Sequence, residues 1–198
     1  AGASKHEIGT LVFAQYTLQC QHGIITVYCG AYDSVAWGIG EDLFTWRWKD
    51  GGGINYEAGQ LAESYSLSDD LSTLSVKIRS GVQFHKGYGE MTADDVVHSY
   101  NKTNPMITPH SIAPSAANFA SLFGKNAAVA DGSNVNFVFE NFDVAWVNNL
   151  MNTGGFVGVV IHSKKAFDEN DESWAKENVV ATGPYEVESW VRDDTAVF

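Results

Sequence analysis

Six histidines and two cysteines are the residues of this 198-residue chain with the widest scope for chemistry. His6, His22, His85, His98, His110 and His162 could ligate a metal or act as general bases. No two of them lie three to five residues apart, the spacing that puts a pair of imidazoles on one helix face. Cys20 and Cys29 have eight residues between them, which fits neither a common zinc motif nor a redox motif. In an oxidising compartment the two could close a disulfide; two buried thiols are the alternative. The pairs Asp69-Asp70, Asp94-Asp95 and Asp193-Asp194 offer carboxylates of the glycosidase kind, but adjacent residues rarely converge on one bond, and turns or helix caps use such pairs more often. The chain has no G-x-S-x-G, H-E-x-x-H or G-x-x-x-x-G-K-S/T pattern, and Gly38-Ile39-Gly40 is too short for a dinucleotide fingerprint. The expectation is a protein that is not an enzyme, with no catalytic residue, no metal and no cofactor.

Composition points the same way. Twelve basic residues against twenty-four acidic ones leave a net charge of −12, which repels phosphate backbones and makes nucleic acid an unsuitable partner. A hydrophobic share of 44% and an aromatic share of 13% belong to an ordinary globular protein whose aromatics are mostly core, with some free to line a cleft. No run of about 18 apolar residues is present, and no basic start leads into an apolar stretch as in an export signal.

The elements that would position any site are legible in part. Gly9–Tyr16 and Ile24–Tyr28 read as buried strands, and Ala31–Phe44 as a short helix with Val35, Ile39, Leu43 and Phe44 on one face. Lys49–Gly53 is turn chemistry. Leu74, Val76 and Ile78 alternate with Ser75, Lys77 and Arg79, the period of a strand with one buried face, and Val135, Phe137 and Phe139 repeat it. Thr92-Ala93-Asp94-Asp95 forms a capping box with Asp in place of Glu, so a helix starts near Ala93 and Pro105 stops it. A loop over Asn104–Ser115, a helix from Ala116 and a helical Asp143–Asn149 follow. A strand is expected over Phe156–Ile161, then two short helices over Lys164–Asn178. Tyr185, Val187 and Val191 would share one strand face, and Thr195–Phe198 reads as a strand in need of neighbours, as though the chain were truncated.

Four segments, in order, resemble the family 5 extracellular solute-binding proteins of bacterial ABC importers. Leu61-Ala62-Glu63-Ser64 leading to Ser68-Asp69-Asp70 is similar to the family's LAESW…SDDG, and Ile78-Arg79-Ser80-Gly81-Val82-Gln83-Phe84-His85 to its LRKGVKFHDG. Met91–Val97 with Ser99-Tyr100 resembles FTAEDVVFSYER, and Ala181-Thr182-Gly183-Pro184-Tyr185 with Trp190 resembles GTGPYKVVEW. Two departures stand out. Cys20–Cys29 occupies the place of the family's Asp-Pro, and Lys86 replaces the Asp after Phe-His, with Tyr88-Gly89-Glu90 lengthening that turn.

The resemblance implies an α/β fold, mixed α+β, of the periplasmic-binding-protein type. It places residues 1–46 and 160–198 in a discontinuous first lobe and residues 47–159 in an inserted subdomain, with a second lobe expected after 198. It implies capture of a small solute, oligopeptide or dipeptide favoured, between two lobes that close on it, and delivery to ABC permease membrane subunits. The complete protein would be a monomer, periplasmic or extracellular, with a lipid anchor compatible with the family. Gln15 and Tyr16, at the end of the first strand, Val35, Ala36 and Trp37, before a helix like the family's LFEGL, and His110, after the Val97–Tyr100 helix, are the candidate ligand contacts. A stand-alone binding or adhesion module and a secreted hydrolase are the competing readings.

Overall fold

The computed structural model describes residues 12, 38–113, 115–146, 159–175 and 177–198. In chain order its elements are β1 (Phe44–Trp48), β2 (Ile54–Ala58), β3 (Ala62–Leu67), β4 (Thr73–Ile78), α1 (Ala93–Thr103), α2 (Ala116–Phe123), β5 (Val129–Asp131), β6 (Asn134–Val138), α3 (Lys164–Glu169), α4 (Glu172–Ala175), β7 (Ser189–Val191) and β8 (Thr195–Val197). Among the described residues no helix is long and apolar enough to cross a membrane. Apart from Val12, which belongs to no strand, the expected strands at 9–16 and 24–28 lie outside the described residues.

Period-two alternation builds the central sheet. Leu74, Val76 and Ile78 of β4, with Val135 and Phe137 of β6, point into one core, while Ser75, Lys77 and Asn136 face outward. The sheet is antiparallel in the order β3-β4-β6-β5, with Leu74 opposite Phe137 and Val76 opposite both Tyr65 and Val135. Helices α1 and α2 cover its apolar face: Val96 and Tyr100 from one, Phe119, Leu122 and Phe123 from the other, are all buried. Tyr100 meets Phe137 at 4.8 Å and Phe119 at 5.3 Å, tilted ring pairs of the favourable kind. Asp70 closes the β3–β4 connection, accepting from the Ser68 hydroxyl, the Ser72 amide and the Ser72 hydroxyl, and these bonds lower its pKa to about 2.

The Lys49–Gly53 turn joins β1 to β2 as a hairpin, with Gly51, Gly52 and Gly53 all at positive φ. Residues 38–43, expected to be helical, are not. Their carbonyls are taken by distant amides: Leu61 bonds Asp42, Ala62 bonds Leu43, Ile161 bonds Glu41, Gly183 bonds Ile39 and Tyr185 bonds Gly38. Five acceptors engaged across the fold leave none of these carbonyls for an intrahelical ladder. The rest of that expected helix, 31–37, lies outside the described residues.

Helix α1 begins where the capping box predicts. The Asp95 carboxylate accepts from the Thr92 amide and hydroxyl, both at 2.8 Å, and its second oxygen accepts from the Lys164 amide at 2.7 Å. The helix ends at Thr103, before Pro105, and α2, α3 and α4 stand where helices are expected. Of the expected 143–149 helix, Asp143–Trp146 forms a turn closed by the Trp146 amide, and 147–149 lie outside the described residues. Residues 159–161 of the expected strand belong to no strand, and 156–158 lie outside the described residues. The shared face of Tyr185, Val187 and Val191 is corrected: Val187 is buried but Tyr185 and Val191 are more than half exposed. Trp190 turns inward instead, packing on Phe198 beside a small core of Ile39, Val160, Val179, Ala181 and Val187. Thr195–Val197 finds its neighbour in β7.

Two measurements test this account. Asp95→Ala strips the partner from two backbone amides at once, so the urea midpoint should fall by the equivalent of about 2–4 kcal/mol. His98 packs on Phe167 at 5.0 Å, and burial first, with Lys102 and Lys164 adding, lowers its pKa from 6.5 to about 4. The folded state therefore favours the neutral ring. That contribution is full above pH 6.5 and is lost as pH falls toward 4, reaching on the order of 3 kcal/mol. Thermal unfolding of wild type and His98→Phe across pH 7 to 4 should show a steeper acid loss in wild type.

Candidate functional site

The described residues converge at the segment 38–43, where the chain leaves residues 35–37 and enters β1. Glycines make this convergence possible. A Cβ on Gly183 would lie 2.2 Å from the Gly38 oxygen and 2.5 Å from the Ile39 carbonyl carbon, and one on Gly40 would lie 2.5 Å from a Val160 methyl. Gly38 itself sits at φ 71, against the Tyr185 ring and the Pro184 ring. The Gly183 amide donates to Ile39 at 2.9 Å and the Tyr185 amide to Gly38 at 3.1 Å, so residues 38–39 and 183–185 run together as one backbone strip. Tyr185 is 57% exposed at its edge.

Behind this strip stands His85. Its amide donates to the Ala181 carbonyl at 2.9 Å, and its ring Nε2 lies 2.8 Å from the Gly183 carbonyl. Lys86, in a left-handed conformation at φ 56, donates its amide to Glu186 and its ammonium to Asn178. Tyr88 packs on Trp174 at 6.3 Å and accepts from the Asn170 amide group. Lys86 and Tyr88, two of the departures from the family pattern, thus fasten the His85 turn to residues 170–186. Inside, Asp42 is fully buried and its amide donates to Gln60; burial, with the Asp42 carboxylate adding, holds the Tyr100 hydroxyl well above its usual 10 and so protonated.

All four segments that carry the family likeness act as joints. Leu61 and Ala62 bond residues 42 and 43, and Arg79 bonds Leu61. His85 bonds 181 and 183, Asp95 receives the Lys164 amide, and Ser99 receives the His162 amide at 3.0 Å. A reading of the sequence finds these residues as motifs but gives no sign that Gly183 meets Gly38 or that Asp42 is buried.

Of the candidate ligand contacts, Gln15, Tyr16, Val35, Ala36 and Trp37 lie outside the described residues, as do Cys20 and Cys29. His110 is described and exposed, in the loop after α1. That loop is well braced: Asn104 accepts from the Met106 amide and donates to the Gly124 carbonyl, and Ser111 donates to the Thr103 carbonyl. Among the described residues no group of three His, Cys, Asp or Glu could hold a metal ion.

Comparison with known proteins agrees with this architecture. The family model described as bacterial extracellular solute-binding proteins, family 5 Middle, matches residues 58–198. Di/tripeptide-binding protein 1 of Pseudomonas aeruginosa (strain UCBPP-PA14) is 25% identical over 144 residues, covering 67% of this chain and 27% of that protein. Among solved structures, the binding protein MoaA in complex with mannopinic acid from A. tumefaciens R10 aligns with a TM-score of 0.68 at 24% identity, covering 91% of this chain and 34% of its own. The dipeptide-binding protein of Pseudoalteromonas sp. SM9913 in complex with Met-Leu aligns at 0.63 and 20% identity, covering 86% and 36%. The chain therefore spans about a quarter to a third of the length of these relatives. The fold is the α/β periplasmic-binding-protein type, as expected.

The strip makes a direct prediction. Gly183→Ala should break the Gly183–Ile39 bond and lower thermal stability by about 2–4 kcal/mol, whereas Gly132→Ala, at an open turn with nothing near the new Cβ, should cost about 1 kcal/mol.

Proposed function

The chain belongs to the bacterial extracellular solute-binding proteins, family 5, and from that premise we propose that it supplies one wall of a cleft in which an ABC importer's binding protein captures a small solute, with peptides favoured. The observation that carries this reading is the pairing of residues 38, 39 and 41 with residues 185, 183 and 161. A lobe interrupted by an insertion needs its two chain segments rejoined by backbone bonds, and the sheet β3-β4-β6-β5 lies between them in sequence. This supports a first lobe of residues 1–46 and 160–198 around an inserted subdomain of 47–159. The solute would sit between this lobe and a second one, and closure would be stabilised because both touch it. No bond is made or broken.

Gln15, Tyr16, Val35, Ala36, Trp37 and His110 are the proposed contacts. The bracing of the His110 loop favours that assignment, because a contact already held in place loses little entropy on binding. The protein would work outside the cytoplasmic membrane, in the periplasm or at the cell surface with or without a lipid anchor, and hand its solute to permease subunits.

Thermal unfolding of the full-length protein against di- to pentapeptides, nickel complexes and oligosaccharides tests the proposal. A solute at a hundred times its Kd stabilises by about 2.7 kcal/mol, so one class should raise Tm by several degrees. His110→Ala should weaken that solute about tenfold without lowering the unliganded Tm. No shift with any class would overturn the reading.

A further inference from the structure

We propose that His85 is a positioning residue for solute binding: through the bond from its ring to the Gly183 carbonyl, it fixes the strip that holds the chain leaving residues 35–37. The proposal rests on the solute-binding reading above, which places residues 35–37 at the solute. Its physical basis is the glycine. Only Gly fits at 183, because a Cβ there would collide with the Gly38 oxygen, yet Gly is the residue with the greatest backbone freedom. A position forced to be Gly by close approach needs some other group to fix its carbonyl. Pro184 follows and brings no amide hydrogen of its own.

His85 supplies that group. A carbonyl can only accept, so the 2.8 Å contact assigns the ring hydrogen to Nε2, and Nδ1 is buried with no hydrogen-bond partner among the described residues. The same residue's amide grips the Ala181 carbonyl, so two alternate carbonyls of the strip are bonded from one side. The amides of Gly183 and Tyr185 bond Ile39 and Gly38 on the other side. Gly183 is thus clamped at both its polar atoms, one by His85 and one by Ile39. The His85 turn is itself tied down by Lys86 to Glu186 and Asn178 and by Tyr88 to Trp174. The route from His85 to residue 39 is therefore two hydrogen bonds through a single residue, short enough for a displaced ring to be felt along the chain that leaves residues 35–37.

The test uses the full-length protein with His85→Leu, which removes the donor, and His85→Gln, which restores one. The readouts are calorimetric affinity for the dipeptide Met-Leu and hydrogen exchange at the Gly183 and Tyr185 amides. His85→Leu should weaken Met-Leu about tenfold and speed exchange at those two amides about tenfold, while the His162 and Lys164 amides at the α1 joint keep their wild-type rates. His85→Gln should return both readouts to within about threefold of wild type. Ser99→Ala, which weakens the α1 joint, should lower stability and leave affinity unchanged. Wild-type affinity in His85→Leu, or an equal rise in exchange at all these amides, overturns the proposal. If His85→Leu does not fold, His85→Gln decides: wild-type exchange at 183 and 185 supports the positioning role and a tenfold rise refutes it. If wild type binds neither Met-Leu nor any other solute of the panel, the solute-binding reading falls, while the exchange measurement still decides whether His85 pins the strip.

Discussion

Backbone pairing between residues 38–43 and three places elsewhere in the chain is the constraint on which the rest of this structure depends. Five carbonyls in that segment receive amides from residues 61, 62, 161, 183 and 185. A buried backbone acceptor left without a partner costs as much as a lost hydrogen bond, so these pairings are close to obligatory once the segment is buried. They dictate non-helical backbone where amphipathic spacing favours a helix. They also demand glycine at 183, where no side chain can enter the space between two backbones.

The sheet unit and the 159–187 stretch are bound at two places of different chemistry. At α1 the bond is polar and buried: Asp95 takes the Lys164 amide and Ser99 takes the His162 amide, with His98 laid on Phe167. At the His85 turn the bonds are to backbone carbonyls, reinforced by Lys86 and by a tyrosine–tryptophan contact. Buried polar groups bonded to specific partners favour one arrangement, because any slip leaves several unpaired together. The proposed wall of a solute cleft would gain from that definition, since positional error there reduces affinity directly.

These joints explain why the family likeness was readable in short segments. Leu61-Ala62, His85, Asp95 and Gly183 each serve a bond that fixes residue type: a backbone pairing next to a buried Leu, a ring donor, a carboxylate with two amides, a residue without Cβ. The proposed ligand contacts carry no such mark. His110 follows from the family resemblance and its place after a helix, and its surroundings, a loop braced by Asn104 and Ser111, are visible only in three dimensions.

By itself the sequence determined whatever is decided within a few residues. The alternation of Leu74, Val76 and Ile78, the capping box at Thr92, the stop at Pro105 and the glycine turn at 49–53 all act through local periodicity or local bonds, and each appears where it was expected. Tertiary structure alone decided the backbone of 38–43, the inward turn of Trp190 in place of Val191, and the meeting of Gly183 with Gly38. The physical reason is common to all three. Each depends on a partner distant in sequence, and a propensity of a few tenths of a kcal/mol per residue is outweighed when backbone groups are buried against one another.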